Sequence, residues 1–101
     1  MMKTEIKTEG KTVNVTVSGR FTSDEAAPFL KSIDSLMDAR QAEIVMDLSG
    51  LDFISSAGIR CFVMLLKACE ANGSSLCLRN LTPQLKDIFT LTALIDKFHI
   101  E

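Results

Sequence analysis

Apolar and polar residues alternate near the start of the chain, and this pattern predicts a β-hairpin. Residues 4–7 alternate around an inward Ile6, and residues 12–18 alternate again with three valines on one side. Alternation at every second residue is typical of strands with one buried face. Glu9-Gly10 offers a turn between the two runs. We therefore expect two antiparallel strands to open the fold.

Three later segments repeat apolar residues at helical spacing. The first helix is predicted from about residue 27, after the capping-box pattern Thr22-x-x-Glu25. The second spans residues 56–71 and ends at Asn72-Gly73, and the third begins at Thr82-Pro83. The residues predicted to face the core are Phe29, Ile33, Leu36 and Met37 in the first helix, Ile59, Phe62, Val63, Leu66 and Cys69 in the second, and Leu85, Ile88 and Phe89 in the third.

Short apolar strands are predicted between these helices. Residues 43–48 indicate a buried central strand, residues 75–79 a further strand, and Phe98 and Ile100 a short final strand or extended tail. The predicted order is ββαβαβα followed by a short end. Strands that alternate with helices require parallel neighbours and crossover connections. The fold class is therefore α/β, with a mixed sheet, an N-terminal hairpin and helices packed on the sheet, in one domain over residues 1–101.

Composition and charge exclude several classes of function. Apolar residues make up 47% of the chain and charged residues 24%, with a formal net charge of −2. Binding to nucleic acid or to an anionic membrane would need a basic patch, so neither is expected. The polar start is not a signal peptide, and we expect a cytoplasmic protein. The three cysteines, which lie in apolar segments, are expected to be buried and reduced.

Catalytic motifs are missing from the sequence, so no enzyme activity, cofactor or metal is expected. A nucleophilic serine needs a base, and the single histidine, His99, is near the end of the chain. Asp47 follows a buried strand, where a receiver domain carries its phosphoacceptor. The acidic pair that would hold magnesium is absent, and this favours a structural Asp47 that bonds backbone amides in the loop leading to Ser55.

Two adjacent serines, Ser55 and Ser56, stand directly before the second predicted helix. One of them is expected to be its N-cap. Ala57 and Gly58 leave the helix start sterically bare, and the helix is apolar beyond its core stripe. A phosphate is also tolerated at the positive end of a helix. From these residues alone, a partner-binding module and a purely structural domain remain open.

The stretch DLSGLDFISSAGIRCF, residues 47–62, resembles the signature of STAS domains, and specifically of bacterial anti-sigma factor antagonists. The residues Val15-x-Val17-x-Gly19 and the segment NLTPQLKDIFTLTAL, residues 80–94, are similar to other conserved parts of that family. Two departures stand out. Gly19-Arg20-Phe21-Thr22 replaces the family's Gly-Glu-Leu-Asp, and Ala93 replaces a frequent glycine.

The resemblance implies a protein without catalysis of its own. Such a protein binds an anti-sigma factor, often a serine kinase of the GHKL ATPase type, and so frees the sigma factor. The kinase phosphorylates the serine before x-Gly and the complex dissociates, and a metal-dependent phosphatase reverses the mark. Aligned on Gly58, that serine is Ser56, while Ser55 takes the place where many members have aspartate.

The loop after the second strand and the start of the second helix should lie at the same edge of the sheet. Together with one face of the helix they form the predicted partner surface, which consists of Thr22, Ser23, Asp24, Ser55, Ser56, Ala57, Gly58, Arg60 and Met64. The alternative function is a STAS scaffold, or an interaction module of another signalling or transport assembly, that is never phosphorylated. A monomer or a weak dimer is expected.

Overall fold

The computed structural model describes residues 2–101 and contains one mixed sheet of five strands. A single 3₁₀ turn at Ser23–Glu25 precedes the first α-helix. In chain order the elements are β1 (Met2–Glu9), β2 (Thr12–Phe21), α1 (Ala26–Ser32), α2 (Asp34–Met37), β3 (Glu43–Ile54), α3 (Ser56–Asn72), β4 (Ser75–Arg79), α4 (Pro83–Leu91) and β5 (His99–Ile100).

The strands lie side by side in the order of the chain, β1-β2-β3-β4-β5. Strands β1 and β2 are antiparallel, and every later pair is parallel. The predicted α/β class, mixed sheet and opening hairpin are therefore confirmed. Inward residues of β2, β3 and β4, such as Val15, Met46 and Leu78, are buried beneath the helices, whereas Asn14 and Thr16 on the other face are exposed.

The hairpin turns at Gly10, where the backbone takes a positive φ of 60° that suits glycine. Ile6 pairs with Val15 and so lies on the core side of the sheet, but its side chain is 37% exposed. The inward direction predicted for Ile6 is confirmed, but the side chain remains exposed because β1 is an edge strand that the helices do not fully cover.

Strand β3 is longer than predicted and runs to Ile54 rather than ending at Leu48. The segment read as a loop is held extended by its pairing with β2, with two register shifts along the way. Gly50 is needed in this pairing, since a Cβ there would lie 2.9 Å from Ser18 Cβ. Asp47 therefore lies inside a strand and not at its end.

The first helical segment differs from its prediction in two respects. The Thr22 hydroxyl donates to Asp24 and caps no backbone amide, so the expected capping box is not formed. The helix also divides at Ile33, whose φ of −101° and ψ of 10° interrupt the regular geometry between α1 and α2. Its predicted core residues Phe29 and Leu36 are nevertheless buried.

The buried side of α3 is rotated relative to the predicted stripe. Cys61 and Leu65 are buried, whereas Ile59, Val63 and Leu66 are only partly buried. The cause is lateral packing by α1, which places the Cys61 thiol 3.9 Å from the Ala26 carbonyl oxygen. A helix that is covered by the sheet and by a neighbouring helix buries a wider arc than a single stripe predicts.

A line of phenylalanine rings joins the helices to the end of β2. Phe62 in α3 lies 5.8 Å from both Phe21 and Phe29 and 6.5 Å from Phe89, and Phe89 lies 5.6 Å from Phe98. Edge-on and tilted ring pairs at such distances stabilise a core beyond the burial of apolar area. Phe62 thus connects three elements of the helical layer with the strand that leads into the site.

Several further predictions for the second half of the chain are confirmed, although Ile88 of α4 is only partly buried. Thr82 caps α4 by accepting from the Leu85 amide, and Gly73 ends α3 in the left-handed conformation. All three cysteines are buried and free, and His99 is exposed. Ala93, which stands in place of a frequent glycine of the family that the sequence resembles, takes a positive φ of 60°. No helix within residues 2–101 is both long and apolar enough to cross a membrane.

Truncation of the central ring should be strongly destabilising. We expect Phe62→Ala to lower the free energy of unfolding by about 3–5 kcal/mol, because the substitution removes a buried ring and leaves a cavity among three others. The matched control is Leu91→Ala, whose side chain is 86% exposed and should change stability by less than about 0.5 kcal/mol. Urea unfolding measures both, and equal midpoints for the two variants would reject this core.

Candidate partner-binding site

The site is built where two parallel strands end side by side. Phe21 at the end of β2 pairs with Ile54 at the end of β3. The next amide, that of Ser55, donates to the Phe21 carbonyl oxygen at 2.8 Å. The loop after β2 and the start of α3 therefore lie at the same edge of the sheet, as the sequence predicted.

Gly58 allows the first turn of α3 to lie directly on these strand ends. It is buried, and a Cβ at this position would be 2.8 Å from Ile54 Cγ1 and 2.9 Å from the Phe21 ring. The bare α-carbon is thus covered by the protein's own core. The expectation that Gly58 opens the helix start to a partner is wrong, and Gly58 supports the surface from beneath.

The two serines are in different environments. Ser55 is half-buried and is the N-cap of α3, with its Oγ accepting from the Gly58 amide at 3.2 Å. Ser56 is the first residue of the helix and is exposed. The structural role predicted for one serine therefore falls to Ser55, and the Ser56 hydroxyl is accessible to another molecule.

The loop after β2 presents a negative charge next to the serines. The Thr22 hydroxyl donates to the Asp24 carboxylate at 2.7 Å. This hydrogen bond, together with one from the backbone of Asp24 itself, holds the pKa of the Asp24 carboxyl below its usual value. Thr22 is half-buried, whereas Ser23 and Asp24 are exposed, so the loop offers an ionised carboxylate at neutral pH.

One face of α3 continues the surface away from the strand ends. Ser56, Arg60 and Met64 follow one another at intervals of four residues, and such residues lie above one another on a helix. All three are exposed, and Met64 is 43% exposed although its side chain is apolar. Ala57 is half-buried beside them. The predicted partner surface is thus contiguous along the helix, with Gly58 removed from it.

Sequence reasoning missed an exposed pair on the opposite face of the same strand ends. Arg20 lies opposite Phe53 in the sheet, and its guanidinium carbon is 4.8 Å from the centre of the Phe53 ring. Phe53 is 36% exposed. The pairing depends on a register shift in β3 beside Gly19, and no pattern in the sequence predicted that shift.

Asp47 accepts a hydrogen bond from a backbone amide, as the preferred prediction stated. Its Oδ1 accepts from the Ser49 amide at 2.9 Å, and this bond is the main reason why the pKa of the Asp47 carboxyl is lowered. A hydrogen bond to the charged form of a carboxyl favours that form, so Asp47 is held as an ionised acceptor for the backbone of β3. The arrangement favours a structural Asp47 over a phosphoacceptor.

One group of side chains within residues 2–101 has the composition of a metal site, on the open face of the sheet. Ligand atoms of Cys77, His99 and Glu101 lie within 4.8 Å of one another. However, Arg79 Nε donates to Glu101 Oε1 at 2.8 Å, and burial raises the pKa of the Cys77 thiol. A guanidinium already bonded to the carboxylate disfavours a cation, so the group is better explained as an ion pair beside a buried thiol.

Comparison with known proteins identifies the family. Residues 4–98 match the profile of the family described as "Mlab, STAS domain". The chain is 26% identical over 84 residues to the Bordetella bronchiseptica protein BtrV, named as an anti-sigma factor antagonist, covering 83% of this chain and 72% of BtrV.

Solved structures show the same fold. The Thermotoga maritima protein TM1081, which is named as an anti-sigma factor antagonist, superposes with a TM-score of 0.86 at 20% identity, covering 96% of this chain and 84% of the other. The phosphorylated form of the Bacillus cell fate determinant SpoIIAA superposes with a TM-score of 0.76 at 17% identity, covering 98% of this chain and 91% of that chain.

Replacement of the buried glycine tests how the site is supported. In Gly58→Ala the new methyl group would overlap Phe21 and Ile54, and overpacking of this kind costs about 1–3 kcal/mol. The better helix propensity of alanine offsets about 1 kcal/mol of that cost. We expect a net loss of stability in urea unfolding, against little change in the exposed control Ser56→Ala. A Gly58→Ala protein more stable than wild type would contradict the packing described.

Proposed function

This chain belongs to the STAS domain family, and we propose that it is an anti-sigma factor antagonist that works by partner switching. In this proposal the unphosphorylated protein binds an anti-sigma factor and frees the sigma factor. Phosphorylation of Ser56 then releases the complex. The observation that carries the proposal is the exposed Ser56 at the first turn of α3, next to a Ser55 already used as the cap.

The position of Ser56 suits a phosphate that leaves the fold intact. A phosphoserine carries a charge of about −1.5 to −2 at neutral pH, and the positive end of a helix stabilises negative charge. Arg60 lies one helical turn further on the same face, where its guanidinium adds positive charge. SpoIIAA in its phosphorylated form has a similar fold, and this supports the proposal that a domain of this kind stays folded when it is phosphorylated.

The same phosphate would oppose binding. The predicted partner surface combines an exposed apolar side chain, Met64, with the charges of Asp24 and Arg60. A partner that covers it would force the phosphate into a desolvated setting, and an uncompensated buried charge costs about 3–5 kcal/mol. Since 1.4 kcal/mol corresponds to a factor of ten, affinity would fall by a factor of several hundred or more.

The circuit that this implies has two further components. The anti-sigma partner is proposed to be a serine kinase of the GHKL type, which phosphorylates the protein that it binds. A metal-dependent serine phosphatase restores the binding form. The relative BtrV and the similar solved structures carry names of anti-sigma factor antagonists, and these names support the class of partner. The circuit is proposed to operate in the cytoplasm.

Substitutions at the two serines test the switch. Ser56→Ala should bind the anti-sigma kinase and stay bound when ATP is added, because no phosphate can be attached. Ser56→Asp should fold normally but bind at least tenfold more weakly, since it places a permanent negative charge at the interface. Ser55→Ala is the matched control and should still accept phosphate at Ser56. Intact mass, peptide mapping and isothermal titration calorimetry measure these outcomes.

Phosphate mapped to Ser55, or wild-type affinity in Ser56→Asp, would overturn the proposed switch. Binding that is unaffected by ATP and by both Ser56 variants would favour the alternative of a STAS scaffold that is never phosphorylated.

Charge reversal on α3 tests the binding surface separately from the switch. Arg60→Glu and Met64→Asp should each weaken the complex at least tenfold, because each places an acidic group where a partner must desolvate it. Arg40→Glu makes the same charge change at an exposed position before the opposite end of β3 and should bind like wild type. Equal affinities for Arg60→Glu and Arg40→Glu would remove this face of α3 from the interface.

A further inference from the structure

Strand β1 is an eight-residue edge whose outer side has no neighbouring strand within residues 2–101. The opposite edge of the sheet is β5, which has only two residues. An exposed edge strand carries unpaired backbone groups that can pair with another chain. The long edge at β1 is therefore the surface of the sheet that is best suited to accept a further strand.

The hairpin register determines which backbone groups face outward. Glu9 pairs with Thr12 around a two-residue turn in which Gly10 has a positive φ. The two residues that flank such a turn, here Glu9 and Thr12, are hydrogen-bonded to each other across the hairpin. Along the two strands, hydrogen-bonded pairs then alternate with pairs that are not hydrogen-bonded. The N–H and C=O groups of Thr4, Ile6 and Thr8 therefore point away from β2 towards the free edge.

The side chains of β1 form two rows of different character. On the helix side of the sheet, Ile6 is 37% exposed at the middle of the strand. On the open face, four exposed charges alternate in sign along the edge, and their partners in β2 are all uncharged residues. These four charges are Lys3, Glu5, Lys7 and Glu9, and Lys3 and Glu5 form an exposed ion pair of 2.9 Å along the strand. Charged side chains on an edge discourage pairing with an arbitrary strand, but a row that alternates in sign can be matched by a strand that carries the opposite sequence of charges.

We propose that β1 pairs antiparallel with β1 of a second copy of the chain, centred on Ile6, so that two sheets join into one. In this register Lys3 faces Glu9 of the second copy, and Glu5 faces its Lys7, which makes four pairs of opposite charge around the two-fold axis. Ile6 faces its own copy at the axis, where the outward backbone groups exchange hydrogen bonds. Opposite charges directly across an antiparallel pair are stabilising, and like charges are destabilising.

The charge pattern selects this register over its neighbours. A shift by two residues in one direction places Glu5 opposite Glu5 and Lys3 opposite Lys7. A shift in the other direction places Lys7 opposite Lys7 and Glu5 opposite Glu9. Both shifts set like charges against each other and shorten the overlap. A shift by four residues restores opposite charges but leaves only two such pairs within β1. The register centred on Ile6 therefore makes the largest number of opposite-charge pairs between two identical edges, which a two-fold interface brings together.

The dimer would leave the predicted partner surface free. That surface lies at the end of β2, whereas the axis passes through the middle of β1 at Ile6, which pairs with Val15. Since the two copies of β2 run in opposite directions, the two copies of Ser56 would lie at opposite ends of the joined sheet. Each could then be phosphorylated or bound by a partner independently of the other.

Two double variants with identical composition and net charge test the proposal. Lys3→Glu/Glu5→Lys sets like charges opposite each other in all four pairs of the proposed register. Glu5→Lys/Lys7→Glu keeps opposite charges in all four. Sedimentation equilibrium of the full chain without a partner, over a concentration series, gives the dissociation constant of each protein. Urea unfolding of each variant checks that the monomer fold is retained.

We expect the wild-type protein and Glu5→Lys/Lys7→Glu to dimerise with similar dissociation constants. The constant of Lys3→Glu/Glu5→Lys should be at least tenfold higher, since every cross-strand charge pair changes from attractive to repulsive. Equal dissociation constants for the two double variants would overturn the proposal. So would a wild-type protein that stays monomeric up to about 1 mM, where an interaction of about 4 kcal/mol would be visible. Neither outcome depends on Ser56 or on the identity of the anti-sigma partner.

Discussion

Helix α3 begins directly on the ends of β2 and β3 because Gly58 has no side chain to hold them apart. Any Cβ there would meet Phe21 and Ile54 at less than 3 Å. This contact brings the loop after β2, the serine pair and the first turns of α3 to one edge of the sheet. It also fixes Phe21 within the line of rings that runs through Phe62 to the far helix. The packing of Gly58 on Phe21 and Ile54 therefore belongs both to the hydrophobic core and to the support of the site.

That arrangement gives two neighbouring hydroxyls different chemistry. Ser55 satisfies a backbone amide of the helix start and is tied to the fold, and Ser56 is left exposed one residue further along the same positive helix end. A charge added to Ser56 meets favourable electrostatics within the domain and unfavourable desolvation in a complex. One covalent change can thus act on binding with little effect on folding, which is what a partner switch requires.

Local patterns in the sequence predicted much of this fold. The valines of β2, the end of α3 at Gly73, the Thr82 cap and the adjacency of the two loops follow from short-range rules. Three features depend on contacts between distant residues and were missed. Pairing with β2 keeps β3 extended to Ile54 despite its turn-like composition, and the buried side of α3 includes Leu65, which the predicted stripe left out. A register shift in β3 brings Arg20 over Phe53. The proposal that Ser56 is phosphorylated came from the resemblance of residues 47–62 to STAS domains, and the structure shows that Ser56 is exposed whereas Ser55 serves as the N-cap.

The most direct measurement is a comparison of two semisynthetic proteins, unmodified and with phosphoserine at position 56, by urea unfolding and by calorimetric titration with the anti-sigma partner. We expect nearly equal free energies of unfolding, because the phosphate lies at an exposed helix start. We expect affinity for the partner to fall by a factor of several hundred, which corresponds to about 3–5 kcal/mol. Unchanged affinity, or a phosphorylated domain that no longer folds, would contradict the central claim that Ser56 switches binding without altering the fold.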